Sequence, residues 1–368
     1  MEALPKPSPV AQIKGMWAKY EKYLPAGFFI GGFLFDVFTL GRIDSLFSIL
    51  QQAAYLLILA VMLAQMMHEM ALEKILHQRW KWYLEWRVPA MHFIFGSLLS
   101  SYTLFFFLSG SLSTSFGFLL FIVALLVGNE FPRFQGLGLS FKFALLSLCT
   151  MSYGAYLVPT LIGQSGVLVF LVSILAGVLP EIALYRLSLR WGINEMKART
   201  QILRPALFVF IGFLLSYLIG IIPPVPLSLQ YVGIYHSVQK SADGKFELSH
   251  ERPWWRFWHN GDQWFYAQPG DKIVAFFRVF SPDNFKDNVR VVWSLDVPGY
   301  GWQVQDKIPI KIVGGRDEGF RGYAVKANYT TGKWRVALET SDGREIGRLG
   351  FKLDAVPESP REFRLDRQ

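Results

Sequence analysis

Hydrophobic residues follow two different patterns along this chain. Up to about residue 228 they form long, nearly uninterrupted blocks, whereas beyond it they alternate with polar residues in short runs. A block of about 20 apolar residues is long enough to cross the roughly 30 Å hydrocarbon core of a bilayer as a helix. Short alternating runs are typical of strands. The pattern therefore predicts a helical membrane half followed by a β-rich domain.

Seven apolar blocks reach, or nearly reach, a spanning length. The fourth is the shortest, and it spans only when the Ser/Gly-rich residues 109–115 are included. We therefore predict an α-helical membrane bundle of about seven helices within residues 24–222, preceded by a cytoplasmic segment at residues 1–23. The blocks are residues 24–40, 46–67, 89–108, 116–127, 139–159, 166–184 and 205–222.

The basic residues indicate the orientation of this bundle. Lys and Arg concentrate in the N-terminal segment and in the connections after the second, fourth and sixth blocks, while the alternate connections carry almost none. Because basic connections stay in the cytoplasm, the N-terminus is predicted to be cytoplasmic and the β-rich domain to lie outside. Residues 73–87 place Trp80, Trp82, Tyr83 and Trp86 among basic residues. They predict a helix that contacts membrane lipid at the cytoplasmic interface.

Ionisable side chains within the apolar blocks are the first functional candidates. Placing one there costs about 2.5–3.5 kcal/mol on insertion scales, so such residues are rare unless they are used. Asp36 lies in the first block, towards the outer side. His92, Glu130, Lys142 and Glu181 lie near the cytoplasmic ends of their blocks. They either converge on a cytoplasm-facing cavity or are satisfied locally by snorkelling and by pairing with neighbouring charges.

The β-rich part begins after a proline-rich segment. Pro223, Pro224 and Pro226 cannot continue a helix and predict a stiff stalk over residues 223–228. Asp342-Gly343 predicts a hairpin turn. Many short strands without a helical stretch predict an all-β, immunoglobulin-like sandwich over residues 229–368. The strand-like runs are residues 231–238, 263–267, 272–280, 289–295, 308–313, 322–327, 334–340 and 344–353.

Seven aromatic residues fall within the thirteen positions 254–266, four of them Trp254, Trp255, Trp258 and Trp264. Such rings could stack on sugars or line a groove for a partner protein. They could equally fill a core or lie against the outer membrane surface, where Trp is favoured. The four tryptophans are therefore candidate partner-binding residues with these alternatives open.

Charge and motifs narrow the classes of function. Before residue 229 there are 16 Lys and Arg against 10 Asp and Glu, and neither half has the concentrated basic face of a nucleic-acid binder. The single Cys149 cannot form an internal disulfide. His68-Glu69 is followed by Leu72 where a zinc protease would have a second histidine. No catalytic set, metal site or cofactor-binding motif is predicted.

The C-terminal segments 332–336, 339–340 and 342–347, which include Trp334 and the Asp342-Gly343 turn, resemble an uncharacterised bacterial family. Its members join a multi-span membrane half to a β-rich domain of unknown function. The membrane half is similar only through Phe35-Asp36 and residues 40–44. The resemblance implies an inner-membrane protein of Gram-negative bacteria with its β-domain in the periplasm, and it brings no known active site.

Two hypotheses follow for the function. The first is a non-enzymatic membrane protein whose β-domain binds an envelope protein or a glycan. The second is a transporter or a membrane-embedded enzyme that uses the polar residues of the helical bundle. The oligomeric state and the ligand are not determined by these patterns.

Overall fold

A computed structural model of the chain describes residues 44–72, 81–283, 285–314 and 319–368. The first half of the described chain is helical and the second half consists of strands. The last helix contains a π-helical turn at Arg199–Leu203. The helices are α1 (Leu46–Leu72), α2 (Lys81–Ser109), α3 (Leu112–Asn129), α4 (Pro132–Gln135), α5 (Leu139–Ile162), α6 (Val167–Arg190) and α7 (Glu195–Leu218).

Five of these helices, α1, α2, α5, α6 and α7, are long and apolar enough to cross a membrane. The shorter α3 has 18 residues. Together they match the second to seventh predicted blocks, while the first block lies outside the described residues. Large apolar side chains point away from the bundle and are exposed, among them Phe47, Phe93, Leu168 and Phe208. A helix that is apolar on both its inner and its outer face is typical of a membrane span.

Residues 81–87 do not form the separate interfacial helix predicted over residues 73–87. Helix α2 begins at Lys81 and continues through Pro89, and residues 73–80 lie outside the described chain. The first turns of α2 are held against α1, because Arg87 pairs with Glu69 at 2.8 Å and Tyr83 donates a hydrogen bond to Gln65. Residues 81–87 are therefore the first turns of α2 and not a separate helix, and their contact with membrane lipid stays a prediction.

Helices α5 and α6 approach each other closely through two glycines. A Cβ atom added to Gly154 would lie 2.4 Å from the carbonyl oxygen of Ser173. One added to Gly177 would lie 2.7 Å from the Cα of Met151. Small residues of this kind let helix backbones touch, which is the usual source of helix association in membranes.

Eleven strands in the described chain form three sheets. Sheet one has the order β1-β5-β8, sheet two β4-β10-β9-β6-β7, and sheet three β11-β3-β2. Two short strands, Phe246–His250 and Arg364–Arg367, fall outside the predicted runs. The strands are β1 (Ser228–Tyr235), β2 (Ser237–Lys240), β3 (Phe246–His250), β4 (Trp264–Ala267), β5 (Ile273–Phe280), β6 (Lys286–Val297), β7 (Gly301–Val313), β8 (Phe320–Lys326), β9 (Gly332–Thr340), β10 (Glu345–Ala355) and β11 (Arg364–Arg367).

Strand β5 is buried on both of its faces. On one face Phe277 joins a buried cluster with Trp293 and Trp334 of sheet two. On the other face Phe276 joins a second buried cluster with Leu248 of sheet three. A strand covered on both sides has no need of polar alternation, which explains why β5 reads as a continuous apolar run. The third sheet thus adds a layer that the predicted two-sheet sandwich did not contain.

The β-domain rests directly on one end of the helical bundle. Ser113, after α2, donates to Glu345 at 3.2 Å. Gly163, after α5, accepts a hydrogen bond from the backbone of Lys286 at 2.8 Å, and Ser165 bonds to Asp287. The end of α7 lies at the same place. The two predicted lysine- and arginine-free connections therefore share a side with the β-domain, as the alternation of basic residues predicts.

The segment predicted as a stalk is part of this contact. Residues 222–227 are buried, and Pro223 lies against Gly110 at the end of α2. The prolines stop the helix as predicted, but they are packed between the bundle and the β-domain and are not a solvated spacer. The sequence indicated that the helix ends at these prolines, but it did not indicate which parts of the chain bury them.

Candidate functional site

The aromatic residues predicted from the sequence lie mainly on one loop, residues 251–263 between β3 and β4, which we call the aromatic loop. Phe257 is 79% exposed and Trp258 60% exposed. Trp254 and Trp255 are also exposed, and their indole rings are not part of either core cluster of the β-domain. The alternative in which these tryptophans fill a core is therefore wrong for Trp254, Trp255 and Trp258.

A cleft of about 210 Å³ opens between this loop and the start of β4. Trp264, 43% exposed, forms part of its wall together with Tyr266. The neighbouring residue Phe265 points the other way, into the core of the β-domain. Strand alternation therefore divides the aromatic run between core and surface. The cleft is also lined by polar and charged groups, among them Glu251, Arg252, Arg256, His259, Asp262 and Gln263.

Arg256 is held between two indole rings. Its guanidinium carbon lies 4.6 Å from the ring centroid of Trp255 and 4.3 Å from that of Trp264. Cation–π contacts of this kind are worth roughly 0.5–1 kcal/mol each at exposed sites and fix the plane of the guanidinium. The contact joins the loop to β4 across the cleft.

His259 fixes the other side of the loop. Its Nε2 accepts a hydrogen bond from the indole N–H of Trp258 at 3.0 Å, and its Nδ1 lies 2.8 Å from the side-chain amide of Gln263. Its backbone carbonyl accepts from Arg252. These contacts preorganise the exposed Trp258 ring.

The floor of the cleft is a buried polar cluster. Both carboxylate oxygens of Asp262 accept the backbone N–H of Glu251 at 3.1 Å. The Nε2 of His236 lies 3.6 Å from a carboxylate oxygen of Glu251 and 3.6 Å from one of Asp262. Arg361 pairs with Glu251 at 3.4 Å and with Asp271 at 2.7 Å. The cluster joins the end of β1, the end of β3, the β4–β5 turn and the C-terminal segment.

Burial sets the charges of this floor. It raises the pKa of Asp262 to about 6, since the charged carboxylate loses its hydration. Burial, together with the charge of Arg361, lowers the pKa of His236 to about 4. At neutral pH, Asp262 is therefore charged and His236 is neutral.

A second set of contacts ties the loop to β11. Arg252 pairs with Asp366 at 3.1 Å, and His250 lies at the same distance from that carboxylate. Burial opposes ionisation of Asp366, but the hydrogen bond from His250 and the charge of Arg252 hold its pKa below the ordinary value. The loop is thus anchored at its base while its aromatic tip is exposed.

The aromatic loop lies at the end of the β-domain that is far from the helices. Strand β10 contacts the bundle at Glu345 and pairs with β4 only from Lys352 onwards. Seven residues of strand separate these points, which at about 3.3 Å per residue is roughly 23 Å. Strand β1 likewise starts at the bundle with Ser228, and its Ile234 pairs with Gly261 of the loop. The rings therefore do not lie beside the apolar helices.

The polar residues predicted in the bundle fall into two places. His92 and Asn129 form two hydrogen bonds, at 2.7 and 2.8 Å. Gln135 donates to the carbonyl of Asn129, and Lys142 donates to the carbonyls of Gln135 and Leu137. A carboxylate oxygen of Glu130 lies next to Gly96 of α2. His92, Glu130 and Lys142 are thus brought together, largely through backbone carbonyls.

Glu181 is separate from this group. It is fully buried, and its Oε1 accepts a hydrogen bond from Thr150 at 3.1 Å, while its Oε2 has no hydrogen-bond partner in the part of the chain that the structure describes. Thr150 lies eight residues after Lys142 on α5, which is about 12 Å along the helix. Among the described residues, Glu181 is therefore not hydrogen-bonded to the group formed by His92, Glu130 and Lys142. Asp36 lies outside the described residues.

Several residues of the cleft were not predicted. Arg256 could have been found, because it stands within the aromatic run between Trp255 and Phe257. His236 and Arg361 had no signal, since 125 positions separate them and only the fold brings them within 3.4 Å.

Fold and site together define a chain with a bundle of long apolar helices and a β-rich domain that presents an aromatic cleft. The family described as "Protein of unknown function (DUF2914)" matches residues 286–353. These residues cover β6 to β9 and most of β10, which is less than a fifth of the chain. A β-rich domain of unknown function is therefore present, as the sequence resemblance implied.

Among the curated proteins no match is found. Among solved structures, an immunoglobulin-like protein from Pseudomonas aeruginosa is similar at 13% identity and a TM-score of 0.20, over 34% of this chain and 97% of that one. The alkylpurine DNA glycosylase AlkC of Pseudomonas fluorescens is similar at 11% identity and a TM-score of 0.22, over 86% of this chain and 99% of that one. At such scores neither likeness carries an argument.

Proposed function

We propose that this chain is a multi-pass protein of the bacterial inner membrane that holds a glycan-binding β-domain in the periplasm. The domain is an immunoglobulin-like sandwich of sheets one and two, extended by sheet three. Its role is binding without catalysis. The N-terminus is cytoplasmic in this arrangement, because the connections that contact the β-domain are the ones almost free of Lys and Arg.

The observation that carries the proposal is the exposed aromatic cleft at the far end of the domain. Apolar rings of this size are rarely left in water without a use, and they are tied in place by His259 and Arg256. Flat rings beside hydrogen-bonding groups suit a sugar, which has an apolar face and a rim of hydroxyls. The volume of about 210 Å³ is below the roughly 300–1,000 Å³ of pockets for drug-sized ligands, so it suits one sugar ring.

The position of the loop favours a ligand away from the inner membrane. If the tryptophans served as a lipid anchor, they would be expected at the end of the domain that contacts the helices. They lie roughly 23 Å from that end by strand length. A periplasmic glycan is accessible there, and the helices and junction hold the site at a fixed distance.

The test is saccharide binding by the full chain in lipid nanodiscs, screened on an array of bacterial envelope glycans. The variant Trp258→Ala removes an exposed ring without touching the core. We expect it to weaken binding about tenfold or more, since a truncated Trp anchor costs about 2 kcal/mol or more. Tyr300→Ala, which removes an even more exposed ring, 79% exposed, on the β6–β7 turn, is the control. Binding of a protein and no saccharide would contradict the proposal.

A second candidate function is favoured by Glu181. A carboxyl group that is fully buried among helices with one oxygen unpartnered is a functional candidate for a transporter or membrane enzyme. Glu181→Gln keeps an acceptor for Thr150 and removes the acid. If Glu181→Gln and Asp36→Asn both complement a deletion strain while Trp258→Ala does not, the bundle serves as a scaffold. If Trp258→Ala complements the strain and the two bundle variants do not, the second function is favoured.

A further inference from the structure

The chemistry of the cleft selects among glycans, on the assumption that the proposed function is correct. We propose that the ligand is an acidic saccharide, carrying a carboxylate or a phosphate group, and that Arg256 binds this anionic group. Arg256 is then the residue that determines specificity, while the surrounding rings bind the sugar itself.

The geometry of Arg256 leaves its hydrogen-bonding edge available. Trp255 and Trp264 occupy positions over the guanidinium, at 4.6 and 4.3 Å from its central carbon. A cation–π contact does not use the N–H donors of the guanidinium as hydrogen-bond donors, and these donors lie in the plane of the group. A guanidinium held in one plane binds carboxylate or phosphate through two parallel hydrogen bonds with little further loss of entropy.

Among the residues that the structure describes, no carboxylate forms an ion pair with the Arg256 guanidinium. Two other arginines near the cleft are both paired. Arg252 binds Asp366, and Arg361 binds Glu251 and Asp271. A half-buried cation that lines a cleft without a partner is placed to receive an anion from outside.

The acidic residues that share the cleft do not cancel this preference. Asp262 accepts the backbone N–H of Glu251 through both of its oxygens and is almost fully buried. Glu251 is bound by Arg361. Both carboxylates are therefore engaged in the floor of the cleft. Gln263 and His259 also line the cleft beside Arg256, as polar groups that are hydrogen-bonded to each other.

The experiment compares matched ligands on the full chain in nanodiscs of zwitterionic lipid. The probes are a glucuronic-acid-containing oligosaccharide, its glucose analogue of the same length, the corresponding sugar phosphate, and inorganic phosphate alone. We expect the wild type to bind the acidic probes at least tenfold more tightly than the neutral one. The difference should shrink as salt rises, because the anion contact is screened.

Three variants assign the preference to Arg256. Arg256→Gln is expected to bring the ratio of acidic to neutral affinity close to one, whatever the loss of its cation–π contacts does to the affinity for the neutral oligosaccharide. Arg256→Lys is expected to retain part of it, since a lysine provides charge without the planar fork. Arg335→Gln is the matched control, because the guanidinium of Arg335 also lies over a tryptophan ring, that of Trp302, at 4.6 Å, but neither residue lines the cleft.

The outcomes separate this inference from the proposed function. Equal binding of acidic and neutral probes by the wild type overturns the inference and leaves glycan binding standing. An unchanged preference in Arg256→Gln also overturns it. Absence of binding to any saccharide overturns both. A preference for the phosphate probe over the carboxylate probe, or the reverse, supports the inference and shows which class of acidic sugar is bound. Tight binding of inorganic phosphate without tight binding of an acidic saccharide overturns the inference.

Discussion

The guanidinium of Arg344 donates a hydrogen bond of 2.8 Å to the backbone carbonyl of Tyr217, the penultimate residue of α7. A second one, of 3.0 Å, reaches the carbonyl of Ile222. The Tyr217 hydroxyl in turn donates to Asp342 at 2.8 Å, which pairs with Arg344. The turn between β9 and β10 thus caps the end of α7, where carbonyls lack helical partners and a cation is favoured. This contact joins the two halves of the protein.

Replacing Arg344 should therefore loosen the two halves from each other. Arg344→Ala removes two hydrogen bonds to backbone carbonyls and the ion pair with Asp342, which costs about 3 kcal/mol. We expect a lower thermal midpoint in detergent and faster proteolysis between residues 218 and 228. Arg348→Ala is the control, since its half-exposed ion pair with Glu345 is worth at most about 1 kcal/mol. Equal effects of the two variants would show that the junction does not depend on Arg344.

The floor of the cleft should show a pH dependence that His236 controls. Its pKa is about 4 in the folded chain and about 6.5 in the unfolded chain. Between pH 6.5 and 4 the unfolded chain takes up the proton first, so acidification destabilises the fold through this group. Asp262, with its pKa raised to about 6, acts in the opposite direction, because the folded chain is protonated first.

His236→Gln removes the first contribution and keeps the second. The variant loses contacts at every pH. As the pH falls from 7 to 4.5, however, its free energy of unfolding should decrease by about 2 kcal/mol less than that of the wild type. Thermal or chemical unfolding at four pH values across this range measures the difference. Curves that run parallel for the two proteins would contradict the assignment of a neutral His236.

Gly261 should tolerate no side chain. Its φ is +62°, and a Cβ atom would lie 2.1 Å from the carbonyl oxygen of Ile234, so Gly261→Ala combines strain with a clash against backbone. We expect a loss of about 3 kcal/mol or more and loss of saccharide binding. Gly270→Ala has the same kind of positive φ, +88°, but open space around it, and should cost only about 1–2 kcal/mol. A difference near zero would mean that the loop can move away from β1.

Contact between α5 and α6 should depend on Gly154 in the same way. Gly154→Ala pushes a methyl group against the Ser173 carbonyl at 2.4 Å, and the overpacking should cost about 2 kcal/mol. Gly212→Ala on α7, with open space around it, should be neutral or stabilise the helix by up to about 1 kcal/mol. Both are measured by unfolding in the same detergent, and equal midpoints would show that the helices separate without cost.

The sequence determined those features that depend on local pattern. Block length located six of the helical segments, because a helix needs about 20 apolar residues to cross the hydrocarbon core of a bilayer, whichever helices pack beside it. Alternation located seven strands to within about three residues, whereas the run at residues 308–313 marked only the second half of β7 (Gly301–Val313). Asp342-Gly343 gave the turn between β9 and β10, where Gly343 has the expected positive φ. The concentration of aromatic residues marked the loop that forms the cleft.

Tertiary structure decided everything that depends on residues distant in the chain. The stacking of Arg256 on Trp264 requires β4 to pair with β10, and the floor of the cleft requires His236 and Arg361 to meet across 125 positions. The proline segment shows no sign in its sequence of being buried at the junction. The local pattern of apolar and polar residues indicates whether a segment is surrounded by water, hydrocarbon or protein. A binding site depends instead on which distant segments contact each other, and only the packing of the whole chain determines those contacts.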